Sequence, residues 1–184
     1  MQALSQEKNE GRKDQKEMKT FLISDTHFGH GNILNFTRDD GTPLRGGFTD
    51  IDHHDEFLIQ NWNKVVGVND KVYHLGDVGF KSFAKLKETM DRLKGTKILI
   101  KGNHDNHKLS QYAQVFKDVR AYHVLDKFLL SHVPVHPYSV ERWKANLHGH
   151  LHDNDLNDPR YINLSVERTL FSPVDFETIR DLYK

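Results

Sequence analysis

Lys97-Ile-Leu-Ile-Lys-Gly-Asn-His-Asp105 joins a compact apolar run to a glycine and three crowded polar side chains. The apolar part is short and bounded, which reads as a buried strand. Glycine permits the tight turn that follows, so Asn103, His104 and Asp105 are set at the strand's carboxyl end. The same design recurs along the chain. Thr20–Ser24 precedes Asp25-Thr-His27, and Lys71–Leu75 precedes Gly76-Asp77. Lys127–Ser131 leads into His132, and Ala145–Leu147 leads towards Gly149-His-Leu-His152.

Helical patterns alternate with these runs. Asp50 or Asp52 can cap a helix whose apolar positions are Phe57, Leu58, Trp62, Val65 and Val66. Phe83–Leu93 predicts an amphipathic helix ended by Gly95, and Leu109–Phe116 another helix. Val119–Val124 and Tyr161–Val166 read as strands. Pro173 followed by Asp175 opens a final helix with Ile179 and Leu182 inward. This order predicts an α/β fold. In open α/β sheets the binding crevice lies beyond the carboxyl ends of strands. The five clusters are therefore expected to converge, although Asp25 and His152 lie far apart in the chain.

The 184 residues predict one domain with a real core. Lys plus Arg equals Asp plus Glu at 26 each, so no broad basic field is present and a grip on long nucleic acid is disfavoured. The absence of Cys removes disulfides, thiolate metal sites and cysteine nucleophiles. Residues 1–17 are polar and charged, and are expected to form a disordered or fraying tail before a folded unit over 18–184. No apolar stretch approaches a membrane span and the N-terminus lacks the apolar segment of a signal peptide, so a soluble cytoplasmic protein is expected.

Five of the thirteen histidines (His27, His104, His132, His150 and His152) fall within the strand-end clusters, which argues against scatter. Asp-x-His or Gly-Asp alone is weak. Gly-His-x-His after a strand says more, because alternate residues of an extended segment point the same way. All five clusters in sequence are specific, and their oxygen and imidazole donors suit more than one metal ion.

In this order the clusters resemble the calcineurin-like metallophosphoesterases. The runs Ser24-Asp-Thr-His-Phe-Gly-His-Gly-Asn32 and Val72-Tyr-His-Leu-Gly-Asp77 are similar to the compact bacterial and phage members. The resemblance extends from about residue 19 to the C-terminus. It implies two mixed β-sheets sandwiched between helices, a four-layer α-β-β-α arrangement. Asp25, His27 and His152 would bind one ion, Asn103, His132 and His150 a second, and Asp77 both. The implied cofactors are two divalent transition metal ions, with Mn placed first and Fe, Zn, Co or Ni also suited. The implied activity is hydrolysis of a small phosphodiester by a metal-bridging hydroxide. A phosphomonoesterase acting on small molecules or phosphoprotein is the alternative, followed by a non-catalytic scaffold.

The resemblance implies that His104 is not a metal ligand but faces the substrate, protonating the leaving oxygen or stabilising phosphoryl charge. Asp105 has two readings: it orients His104 and raises its pKa, or it caps the turn. His30, Asn32 and Arg38 are candidates for substrate binding, with loop structure the bland alternative. Arg45 shares the reading of Arg38, phosphate contact or an exposed solvated guanidinium. His74 and His148 read as structural imidazoles, and His53 and His54 as an exposed polar face.

Overall fold

The computed structural model describes residues 17–184. The expected polar tail lies outside these residues except for Glu17. The first strand, β1 (Thr20–Ile23), is followed by a single 3-10 turn at Gly31–Asn35 and helix α1 (Ile51–Val65). Asp50 caps α1 by accepting the His53 backbone N–H at 2.8 Å. Then come β2 (Lys71–His74), α2 (Phe83–Asp91) and β3 (Thr96–Ile100). Gly95 turns the chain between the last two with φ +85°.

The rest is more finely divided than the sequence suggests. Helix α3 covers only Leu109–Tyr112, half the expected Leu109–Phe116. The expected Val119–Val124 strand is two: β4 (Asp118–Arg120) and β5 (His123–Leu125). The chain leaves one sheet for the other between them, at Ala121 and Tyr122. β6 (Phe128–Leu130), the one-turn helix α4 (Pro137–Val140), β7 (Asn146–His148) and β8 (Tyr161–Asn163) follow. β9 (Val174–Asp175) then leads directly into α5 (Phe176–Asp181), capped by Asp175. Leu182 is 77 % exposed rather than inward, because α5 ends one residue before it; Ile179 is buried.

Two mixed sheets result. The first has the order β4-β3-β2-β1-β9, parallel except for β9; the second has the order β5-β6-β7-β8, with β5 antiparallel to β6. Strand alternation separates the cores. Phe21, Ile23, Val72 and Leu99 face Leu58, Ile59, Trp62, Leu86 and Met90 of α1 and α2. Leu22, Tyr73, Ile98 and Ile100 face the second sheet, where Phe128, Leu130 and Leu147 meet them with Phe176 and Ile179 of α5. Leu129 points away from that core and lines a cavity with Ser139 and Trp143, so α4 lies on the second sheet's outer side. Helices thus flank both sheets, as expected. No helix among the described residues is long and apolar enough to cross a membrane.

The sheets are joined at the edge where the polar clusters begin. Ser24 pairs with Ser165 in a parallel bridge, its N–H donating to the Leu164 carbonyl at 3.0 Å. Pairing also continues past the strand ends: Asp25 N–H donates to Gly76 O and His27 N–H to Asp77 O, both at 3.0 Å. The polar loops are therefore held by backbone ladders.

Beneath them His74 is fully buried, with Thr26 Oγ1 2.9 Å from its Nε2 and the Gly76 N–H donating to its Nδ1 at 3.2 Å. Burial outweighs the Asp105, Asp25 and Asp77 carboxylates nearby and pushes the ring's pKa down to about 4. Unfolding returns it to an ordinary value near 6.5. The unfolded chain therefore binds a proton that the folded chain refuses, and stability falls as pH drops from 6.5 towards 4. The contribution at pH 5 is about 2 kcal/mol. Urea midpoints at pH 7 and pH 5 check this: a His74→Gln variant should lose less stability over that interval than the parent protein. An identical loss in both would refute the assignment.

Candidate metal centre

Seven side chains from the five strand-end loops meet at this edge. Asp25 Oδ1 lies 3.7 Å from His27 Nε2, and Asp25, His27 and His152 can place donor atoms within 4.8 Å of one another. Asp25, Asp77 and His132 form a second such group. Asn103 Oδ1 lies 2.8 Å from His132 Nε2 and 3.0 Å from His150 Nδ1, so these three also share a point. Between the two sets stands Asp77, whose Oδ2 is 3.8 Å from His27 Nε2 and 3.4 Å from His132 Nε2.

Surrounding hydrogen bonds aim these groups. Asp25 Oδ2 accepts from the His150 N–H at 2.9 Å and the Ser165 hydroxyl at 3.0 Å, leaving Oδ1 for the cluster. Asp77 Oδ1 accepts the His104 N–H at 2.8 Å. His132 Nδ1 lies 2.8 Å from the Leu75 carbonyl and His152 Nδ1 2.9 Å from Glu167 Oε1. A proton on each Nδ1 directs the Nε2 lone pair inward, the arrangement metal-binding imidazoles use. Asp25 Oδ1 and both ring nitrogens of His27 are buried without a hydrogen-bond partner. Buried polar atoms normally have partners, and a divalent cation would satisfy Asp25 Oδ1 and the His27 Nε2 that faces the carboxylates. The donor set therefore fits metal binding.

The cluster's carboxylates and imidazoles act on one another, and a cation binding at His132 or His152 would displace the proton those carboxylates favour. Burial alone would raise the Asp25 carboxyl, but the His27 and His132 rings outweigh it and hold the group well below the usual carboxylate range. Burial would lower His132, yet Asp77 and Asp25 raise it above its ordinary value. Glu167 overcomes burial in the same way to raise His152.

The backbone is strained where the clusters sit. Asp25, His27, Asp77, His150 and His152 all have φ between 49° and 70°, a region non-glycine residues seldom adopt. Such strain persists only where surrounding contacts over-determine it, and it gathers at functional sites. Two motif glycines serve close approach instead. A Cβ at Gly149 would lie 1.9 Å from Ser24 Oγ, and one at Gly102 would lie 2.2 Å from Asp77 Oδ1.

The remaining candidates separate. His104 is exposed at the rim, its ring 5.3 Å from Phe80 and 6.1 Å from His27. Asp105, a candidate for orienting His104, takes the turn-holding role instead. It is fully buried, and its carboxylate accepts N–H groups of Gly102, Asp77 and Val78 at 2.8–2.9 Å and the Tyr112 hydroxyl at 3.3 Å. It thus ties the Gly76-Asp77 loop to the Gly102-Asn103 loop. Asp105→Ala would strand four buried donors, three backbone N–H groups and the Tyr112 hydroxyl, costing about 3 kcal/mol or more. Chemical denaturation should record that loss; intact stability with reduced turnover would restore the orienting role.

Arg38 differs from the expected substrate contact: it is committed to Asp153 and to the carbonyls of Pro43 and Leu44, so it is no free phosphate clamp. Arg45 is neither exposed nor open to substrate. It is 1 % exposed and donates to Glu167 Oε1, the Asp25 and Thr26 carbonyls and His54 Nε2. His54 is likewise buried against it, contrary to the expected polar face, while His53 is exposed. His30 stacks on Phe80 at 4.1 Å beside His27, and Asn32 lies exposed on the 3-10 turn. Glu167 was not foreseen. No motif marks it, and its importance comes from holding Arg45 and His152 together beneath the cluster.

No protein-family model matches the chain. It is 34 % identical over 170 residues to the uncharacterised protein MJ1445 of Methanocaldococcus jannaschii, covering 88 % of this chain and 89 % of that protein. Among solved structures, the protein of unknown function AQ665 from Aquifex aeolicus superposes with a TM-score of 0.71 at 28 % identity, over 90 % of this chain and 100 % of that one. A Streptococcus pneumoniae protein described as a predicted phosphoesterase is a distant neighbour. It gives a TM-score of 0.39 at 15 % identity, over 80 % of this chain and 71 % of that one, too low to carry weight.

Proposed function

The chain belongs to the same family as the uncharacterised protein MJ1445, and from the chemistry of its strand-end cluster we propose that it is a two-metal phosphoesterase. The observation that carries this reading is the position of Asp77 Oδ2 between two donor sets, 3.8 Å from His27 Nε2 and 3.4 Å from His132 Nε2. Asp25, His27 and His152 would hold one ion, and Asn103, His132 and His150 the other, with Asp77 common to both. Mixed nitrogen and oxygen donors favour Mn, Fe, Zn, Co or Ni over Ca. Bound there, two such ions would supply positive charge to a phosphoryl group and acidify a water nucleophile.

The protein's own groups complete the reaction. Asp77, an anion between two cation sites, offsets their mutual repulsion. His104 at the open rim donates a proton to the leaving oxygen as the ester bond breaks. Asp105 keeps the loops of Asp77 and Asn103 in register, and Glu167 fixes the His152 ring. A balanced net charge and a compact fold favour a small phosphodiester; a phosphomonoester is the rival substrate.

Metal-free protein reloaded with Mn should cleave an aryl phosphodiester faster than the matching monoester. The opposite order would transfer the assignment to monoesters. Cleavage of neither would remove the enzymatic reading.

A further inference from the structure

A cavity of about 630 Å³ opens beside the second donor set. Asn103 and His132 form part of its wall, so cavity and cluster are continuous. Its other surfaces include Tyr122, Val133, Val135 and Trp143, and no carboxylate lines it. Tyr122 and Val133 are 65 % and 47 % exposed, a large apolar exposure to leave next to a polar centre. Cations stand at its margin: Lys101 and Arg142, whose guanidinium carbon lies 5.1 Å over the Trp143 ring. A volume in this range with apolar walls and few polar groups is characteristic of small-molecule sites.

One wall is fixed in advance. The Ser131 hydroxyl donates to the Val133 carbonyl at 2.7 Å, the Val135 N–H donates to Asn146 Oδ1 at 2.9 Å, and the Tyr161 hydroxyl donates to the Val135 carbonyl at 2.7 Å. Asn146 is itself buried and reaches back to the Ser131 hydroxyl at 2.9 Å. The segment from Ser131 to Val135 is thus pinned, which lowers the ordering cost of binding.

We infer that this cavity is a specificity pocket for a flat aromatic substituent of nucleobase class, carried by the phosphoester held at the neighbouring cluster; this rests on the phosphoesterase reading. Aromatic rings offer a base a face to stack on. The absence of carboxylates and the cations at the margin suit an anionic ester. Tyr122 and Trp143 are then substrate-contacting residues, and a nucleoside monoester or diester is preferred to one with a small alkyl group.

The probes are thymidine 5′-monophosphate and methyl phosphate on Mn-loaded protein, followed by calorimetry, and thymidine on metal-free protein, followed by tryptophan fluorescence. The nucleotide should bind at least about tenfold more tightly than methyl phosphate, in line with the stacking of one base. Tyr122→Ala and Trp143→Ala should remove most of that advantage, while Tyr122→Phe and Trp143→Phe keep it. Thymidine alone should still quench fluorescence in the parent protein and fail to do so in Trp143→Ala.

Equal binding of the two phosphates, unaffected by either alanine variant, would overturn the inference. So would a shift from dimer to monomer on sedimentation of Tyr122→Ala, which would make this face a contact between copies. Failure of methyl phosphate to bind, with the thymidine signal intact, would support the pocket and count against the phosphoesterase reading alone.

Discussion

Asp77→Asn should lower phosphodiester turnover by about a thousandfold or more, with little change in fold. The substitution keeps the shape of the side chain and its contact with the His104 N–H, which the structure places on Oδ1 at 2.8 Å. It removes the negative charge from the point between His27 and His132. Two divalent ions sharing that point would then repel across a neutral amide. A loss of about 4 kcal/mol in metal-based transition-state stabilisation corresponds to that thousandfold. Turnover and metal content should fall together, with at least one ion lost. Full turnover in Asp77→Asn would mean that the cluster does not work as a bridged pair.

His104→Ala should reduce kcat by about 10²- to 10⁴-fold, the usual range for loss of a general acid. Here metal content should stay unchanged. The His104 ring is exposed and lies among Phe80 and His27 at the rim, while its backbone N–H, retained in alanine, holds Asp77. The loss should depend on the leaving group. An alkoxide needs a proton as it departs and a nitrophenolate scarcely does, so poor leaving groups should suffer more. A uniform loss across leaving groups would instead assign His104 to phosphoryl charge stabilisation.

Much of this architecture was legible because each polar cluster follows an apolar run and a turn. That pattern is local, and the backbone ladders that continue past β1 and β2 bring its members to one edge. Short elements were less legible. β4 and β5 have three residues each, too few to show a period, so their separation at Ala121 and Tyr122 into different sheets left no local trace. β9 has two residues and was absent from the expectation. Leu182 continued the apolar spacing of α5 but lies beyond the helix end.

Within the site, contacts made by long side chains across the fold were hidden. Arg45 and Glu167 are separated by 122 positions, and neither belongs to a recurring cluster. The direction of Asp105 was open for a related reason. Its partners in the Asp77 loop are supplied by a neighbouring strand, so sequence adjacency to His104 was a poor guide.

The most direct test is anomalous diffraction from crystals of the protein loaded with Mn, measured at the metal's absorption edge. The account predicts two peaks at the joined sheet edges, one on each side of Asp77 Oδ2. The first should lie among Asp25, His27 and His152, and the second among Asn103, His132 and His150. A single peak away from Asp77, or no peak in protein that still cleaves a phosphoester, would contradict it.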